Sequence, residues 1–227
     1  MAITLYSLAQ SRAQRILWLL ELLGVEAEFV QFERDPVTLL APEEVRRIHP
    51  LGKLPLLRDG DRVFAESGVI VDYLIQTYGQ GRLMPARDHA DYWDYQRWLH
   101  YAEASLMPLL LLDLVFARVV RAPVPFFIKP VLRKVSSNVH ESFIDPQLAL
   151  QLAHVNEALA GRRWFMGDEL TGADVMMSYP LQAAAARVGV DAYPNITAFV
   201  ARIEADPAWQ RVVARAGSPT GGIMQGR

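Results

Sequence analysis

The chain has 227 residues, 52% of them hydrophobic and 21% charged, which is enough for one large globular domain or two small ones. A formal charge of -2 leaves no electrostatic footprint for nucleic acid. The absence of cysteine excludes disulfides, thiolate metal sites and a protein thiol as nucleophile or redox centre, so any thiol chemistry must arrive on a ligand.

The first eighty residues alternate strand and helix signals. "ITLYS" (3–7) predicts a strand, and "RAQRILWLLELLG" (12–24) a helix ending on Gly24 as its C-cap. "EAEFVQF" (26–32) predicts a second strand and "APEEVRRI" (41–48) a short helix with Pro42 near its start. "LPLLRDGDRVFA" (54–65) carries Asp59-Gly60 between two apolar runs, the signal for a hairpin, and "ESGVIVDYLIQTYG" (66–79) closes the pattern as a helix. The order β-α-β-α-β-β-α is that of a small α/β domain with a mixed sheet.

After "GQGRLMPARD" (79–88) the strand signals stop, and helical spacing covers 90–120, 146–160, 174–188 and 195–205, with a short piece near 208–215. We read residues 1–80 as one domain and 88–227 as an all-helical second one. The most apolar stretch, Leu106 to Val120, is broken by Pro108, Asp113 and Arg118 and falls short of the ~18 apolar residues of a spanning helix, so no transmembrane segment is expected. The N-terminus lacks the apolar region of a signal peptide, which makes the cytoplasm the expected compartment. "FARVVRAPVPFFIKPVLRKV" (116–135) reads as a lid over the acceptor pocket, a connection between helices or a surface that touches anionic membrane; its three prolines argue against a continuous amphipathic helix and favour the lid. Phe116, Phe126 and Phe127 are its candidate pocket walls.

"HPLGKLPLL" (49–57) places Pro55 in a strand-like run, where a proline must stand at an edge, at a strand's first residue or after a cis bond. A cis Leu54-Pro55 bond would leave the backbone of Leu54 free to pair with an extended peptide-like ligand. Glu66 and Ser67 open the following helix. Ser67 reads either as its N-cap or as part of an anion site made by free N–H groups and the helix dipole. The five histidines, at 49, 89, 100, 140 and 154, lack metal-ligand spacing, so no metal is expected. Thr171 and Asp174 match a capping box, a folding device. Trp93, Trp98, Trp164 and Trp209 read as core or interface.

"SRAQRILWLLELLG" (11–24), "HPLGKLPLL" followed by Glu66-Ser67, and "LTGADVMMSYPL" (170–181) together resemble the cytosolic glutathione transferases along the whole chain. The resemblance implies a thioredoxin-like domain holding glutathione as co-substrate, an all-helical domain holding a small apolar electrophile, and a homodimer. It implies a cis Pro55, with Leu54 bonding the cysteinyl backbone of glutathione. Ser67 would bind the γ-glutamyl carboxylate, Glu66 the amino group and Lys53 the glycine carboxylate, with His49 assisting. Glu103 would reach across the dimer toward the γ-glutamyl amine, and Arg12 would add positive charge near the sulfur.

Catalysis then requires a group that stabilises the glutathione thiolate. Lowering a thiol pKa by two units takes about 2.7 kcal/mol, and one hydrogen bond to a charged group supplies roughly 1.5–3 kcal/mol. By resemblance the donor is the Ser11 hydroxyl, with the Tyr6 phenol as its rival. Ser11 also fits a capping box with Gln14. Reduction of peroxides, isomerisation, or binding without catalysis remain alternatives on the same fold.

Overall fold

The computed structural model describes residues 3–220. Four strands, β1 (Ile3–Leu8), β2 (Ala27–Phe32), β3 (Leu56–Asp59) and β4 (Arg62–Ala65), form one sheet in the order β2-β1-β3-β4. β1 and β2 run parallel, whereas β1 with β3 and β3 with β4 are antiparallel. A parallel pair needs a crossover, and α1 (Gln14–Leu23) provides it. Gly24 ends that helix in the left-handed region at φ 69°, as its position predicts.

The hairpin forms one residue later than the Asp59-Gly60 signal suggests. Asp59 pairs with Arg62, so Gly60 and Asp61 make the turn, with Gly60 at φ 58°. Asp59 stays in the ladder while its carboxylate accepts hydrogen bonds from the Tyr73 hydroxyl at 2.7 Å and from Tyr78. The expected helix at 41–48 is a single 3-10 turn, Glu43–Arg47. α2 (Ser67–Tyr78) completes this thioredoxin-like unit.

From Tyr92 onward the described elements are helical: α3 (Tyr92–Tyr101), α4 (Met107–Val120), α5 (Lys129–Val139), α6 (Asp145–Ala158), α7 (Gly172–Arg187), α8 (Pro194–Glu204) and α9 (Pro207–Ala216). The helix expected over 90–120 contains a π turn at Ala102–Leu106, and a second π turn, His140–Ile144, joins α5 to α6. Each lies just before a proline, Pro108 or Pro146. A proline inside a helix lacks an N–H and crowds the carbonyl four residues back, and the wider turn accommodates both defects. α5 itself was not expected, because its prolines lie in and before its first turn, where they are tolerated. Among the described residues no helix is long and apolar enough to cross a membrane.

α1 is the element the two halves share. It packs against α2, α7 and α9, so even Gln14 and Arg15 are buried. Trp18 sits edge-on to Trp209 at 5.7 Å and donates its indole N–H to Asp206, which also caps α9 by accepting from the Trp209 N–H. Trp98, Trp164 and Trp209 are in the core, whereas Trp93 is 77% exposed on α3. The start of α7 comes so close to α2 and α3 that a Cβ on Gly172 would stand 2.6 Å from Ile75 Cδ1 and 2.7 Å from Tyr95 Oη.

The Thr171-Asp174 box forms as its spacing predicts. The buried Asp174 carboxylate accepts from the Thr171 N–H at 2.8 Å, the Thr171 hydroxyl at 2.9 Å and the Phe165 N–H at 2.8 Å. Asp174→Ala leaves two buried N–H groups without an acceptor. It should cost about 2 kcal/mol, read as a lower urea midpoint with an unchanged slope. An unchanged midpoint would show that water replaces the carboxylate there.

Candidate functional site

A cavity of about 540 Å³ opens where the N-terminus of α1, the turn before β3 and the N-terminus of α2 converge. The sheet order produces this meeting: β1 and β3 are antiparallel neighbours, so the end of β1, which leads into α1, lies beside the start of β3, which the Leu54-Pro55 turn precedes, and the end of β4 beyond it leads into α2. The Leu54-Pro55 bond is cis, and Pro55 stands immediately before β3. Among the described residues no backbone hydrogen bond uses the N–H or C=O of Leu54. Leu54 and Pro55 both line the cavity.

Ser67 is buried and lines the cavity as the first residue of α2, with Glu66, not Ser67, in the N-cap position. Glu66 adopts φ 69° and ψ 123° and makes no side-chain cap. That leaves the first N–H groups of a twelve-residue helix unsatisfied by side chains, which favours an anion there. Lys53 and His49 also line the cavity, Lys53 exposed and His49 half-buried with its Nδ1 shielded from solvent and unpaired in the protein.

Ser11 lines the cavity and is buried. The capping box anticipated with Gln14 does not form. Gln14 donates instead to the carbonyls of Ala216 and Gly217 at the C-terminal end of α9, while the Ser11 Oγ accepts from the Ala13 N–H at 3.3 Å. A hydroxyl that accepts one hydrogen bond keeps its own proton for donation. Tyr6 is outside the cavity lining, its ring stacked 6.5 Å from Phe32 with the Arg58 guanidinium 5.5 Å from its centroid.

Glu103, anticipated as a residue that reaches across a dimer, is held within its own chain. Its two carboxylate oxygens accept from Arg12 and Arg15, an arrangement the π turn at 102–106 permits by displacing the helix around Glu103. Arg15 is fully buried and also donates to the Met176 carbonyl of α7 at 2.9 Å. Burial lowers the Arg15 guanidinium from its ordinary value, and Glu103 opposes that. For Glu103, burial alone would push the carboxyl up, but Arg15 and Arg12 hold it below the usual carboxylate range. Arg12 and Glu103 both line the cavity.

The three phenylalanines expected to wall an acceptor pocket line neither this cavity nor the smaller one beside it. Phe116 packs half-buried near His140 on α4, and Phe126 and Phe127 are 84% and 63% exposed. The cause is that α4 runs on to Val120, so the proline-containing loop after it turns away from the crevice. Segment 116–135 is therefore the end of α4, a loop and the start of α5. Residues that the sequence reading passed over, Arg34, Arg46 and Tyr179, take their place in the cavity lining. Arg34 carries no local motif, and Tyr179 stands in the 170–181 motif without any sign there of a role in the site; only folding brings the end of β2 and the middle of α7 to α1.

Comparison with known proteins matches these features. Residues 5–82 match the family model for the glutathione S-transferase N-terminal domain, and residues 144–207 that for the C-terminal domain. Glutathione S-transferase 1 of Saccharomyces cerevisiae is 33% identical over 218 residues, covering 91% of this chain and 92% of that protein. Glutathione S-transferase 3 of Schizosaccharomyces pombe is 32% identical over 182 residues, covering 80% of this chain and 74% of that protein. A crystal structure of a glutathione S-transferase from Actinobacillus pleuropneumoniae superposes with a TM-score of 0.79 at 33% identity, covering 99% of this chain and 100% of that one. A cavity built from Ser11, Leu54, Pro55, Glu66 and Ser67 on a thioredoxin-like unit, capped by helices throughout, thus has its explanation in descent: the chain belongs to the glutathione S-transferases, enzymes that use glutathione as co-substrate.

Proposed function

We propose that the chain conjugates glutathione to small, largely apolar electrophiles, with residues 1–80 holding the tripeptide and 88–227 supplying the acceptor site. Glutathione lies extended along the free backbone of Leu54. Its γ-glutamyl carboxylate meets Ser67 and the N-terminus of α2, its amino group meets Glu66, and its glycine carboxylate meets Lys53 with His49 beside it. The Ser11 hydroxyl donates to the thiolate, and Arg12 raises the local positive charge. The sulfur lone pair then forms a bond to the electrophilic carbon, and the leaving group departs with its electron pair.

The observation that carries this reading is the presence of Ser11 and Ser67 in one cavity lining, with Tyr6 outside it. Because the chain has no cysteine, a mixed disulfide with the enzyme is outside its chemistry. Exposed Val69 on α2 and Trp93 on α3 supply apolar surface for a second copy, which supports a homodimer, and we place the enzyme in the cytoplasm, where glutathione is abundant as the reduced thiol.

Titration of thiolate absorbance with glutathione bound tests the reading. The bound thiol should ionise about two units below the free one, and a chloronitrobenzene acceptor should yield a thioether and chloride. Binding without that shift would make the chain a glutathione-binding protein. A product containing no sulfur, or glutathione disulfide formed from a peroxide, would replace conjugation by isomerisation or peroxide reduction.

A further inference from the structure

Beside the Ser11 cavity is a second one of about 220 Å³, and Arg12, next to Ser11 in the chain, lines both. One wall is apolar and comes from α4, where Met107, Leu111 and Leu114 share a helix face at spacings of four and three. Arg118 continues that face one turn further and also lines the cavity. Arg34 enters from the end of β2, its guanidinium donating to the carbonyls of Ala9 at 3.2 Å, Gln10 at 3.2 Å and Leu39 at 3.0 Å. No carboxylate lines this cavity, and among the described residues none forms an ion pair with Arg34 or Arg118.

Guanidiniums crowded together without a counter-charge favour an anion between them. The buried hydroxyl of Tyr179, which lines both cavities, adds no negative charge, because burial keeps its phenol above its ordinary value. Burial lowers the Arg34 guanidinium, and repulsion from Arg118 and Arg12 adds to that. Of the two acids that line the other cavity, Glu66 and Glu103, Glu103 is engaged by Arg12 and Arg15.

We infer that the acceptor electrophile carries a carboxylate: its apolar body lies on Met107, Leu111 and Leu114, and its carboxylate is held between Arg34 and Arg118. The inference rests on the conjugation reading above, since Arg12 links this cavity to the position proposed for the sulfur. A plain apolar acceptor would leave Arg118 to solvent and Arg34 to its three backbone carbonyls, with no counter-charge for either. An aryl or unsaturated acid fills both halves.

Calorimetric titration of the full-length protein with S-(4-carboxy-2-nitrophenyl)glutathione and with its methyl ester tests this without turnover. The two ligands share every glutathione contact and differ only in the far charge. The acid should bind about tenfold tighter than the ester at low salt. That ratio should shrink severalfold in Arg118→Gln, an exposed position where folding is not at risk, with Arg34 left to hold the remainder, and it should shrink as salt is raised. Equal affinities, or a ratio unchanged by Arg118→Gln, would overturn the inference. Binding of glutathione itself without binding of either conjugate would also overturn it, leaving the glutathione site intact. Failure of glutathione to bind would remove the conjugation reading and this inference together.

Discussion

Ser11→Ala is expected to return the bound glutathione thiol to near its free pKa and to lower kcat/KM by about 10- to 150-fold, the equivalent of one hydrogen bond to a charged sulfur. The magnitude follows from the surroundings. Ser11 is 6% exposed, so water does not easily replace its hydroxyl, and its oxygen is already oriented by the Ala13 N–H. A free thiol near pKa 8.5 is only a few per cent ionised at pH 7, so the loss should be greatest at neutral pH and should narrow as the pH approaches 9. Tyr6→Phe should leave the titration in place, since the phenol is turned to Phe32 and Arg58 and not to the cavity. The reverse pattern, with the shift lost in Tyr6→Phe and kept in Ser11→Ala, would move the donor to the strand.

Glu103→Gln should be the most damaging single change to stability, about 3 kcal/mol. It leaves the Arg15 guanidinium, whose side chain is 0% exposed, with one backbone carbonyl and no counter-charge. The pH dependence separates this from a packing defect. Arg15 and Arg12 hold the folded-state Glu103 carboxyl below its unfolded value, so its contribution is complete above the unfolded pKa of about 4.3 and is withdrawn as the pH falls through the folded one. The gap between wild type and Glu103→Gln in urea should be constant from pH 6 to 8 and should close below about pH 4. A variant as stable as wild type at pH 7 would mean that the carboxylate serves a partner outside its own chain.

Local chemistry was legible in the sequence, and long-range chemistry was not. Gly24 and the Thr171-Asp174 box were readable because a cap is decided within four residues. The hairpin was readable to within one residue, its register being decided by Asp59 staying in the ladder. Leu54, Pro55, Glu66 and Ser67 could be picked out because each lies near the start of a strand or a helix, Ser11 was marked by the family resemblance, and the five do meet in one cavity. The partners of Glu103 could not be read, since Arg12 and Arg15 lie some ninety positions away and the π turn that carries Glu103 shows in sequence only as a proline in a helical run. Phe126 and Phe127 misled for a related reason: composition makes them attractive as pocket walls, but where α4 stops decides which way they face.

The packing of α9 against α1 sets an order of events in the cell. Gln14, three residues past Ser11, hangs from the carbonyls of Ala216 and Gly217, and Trp18 is covered by Trp209. A ribosome makes the first eighty residues long before these, so during synthesis α1 carries an uncovered apolar face and buried-to-be polar groups without partners. The cavity proposed for glutathione therefore matures last although most of its lining is made first, and the emerging N-terminal half is the stage at which a chaperone has most to hold.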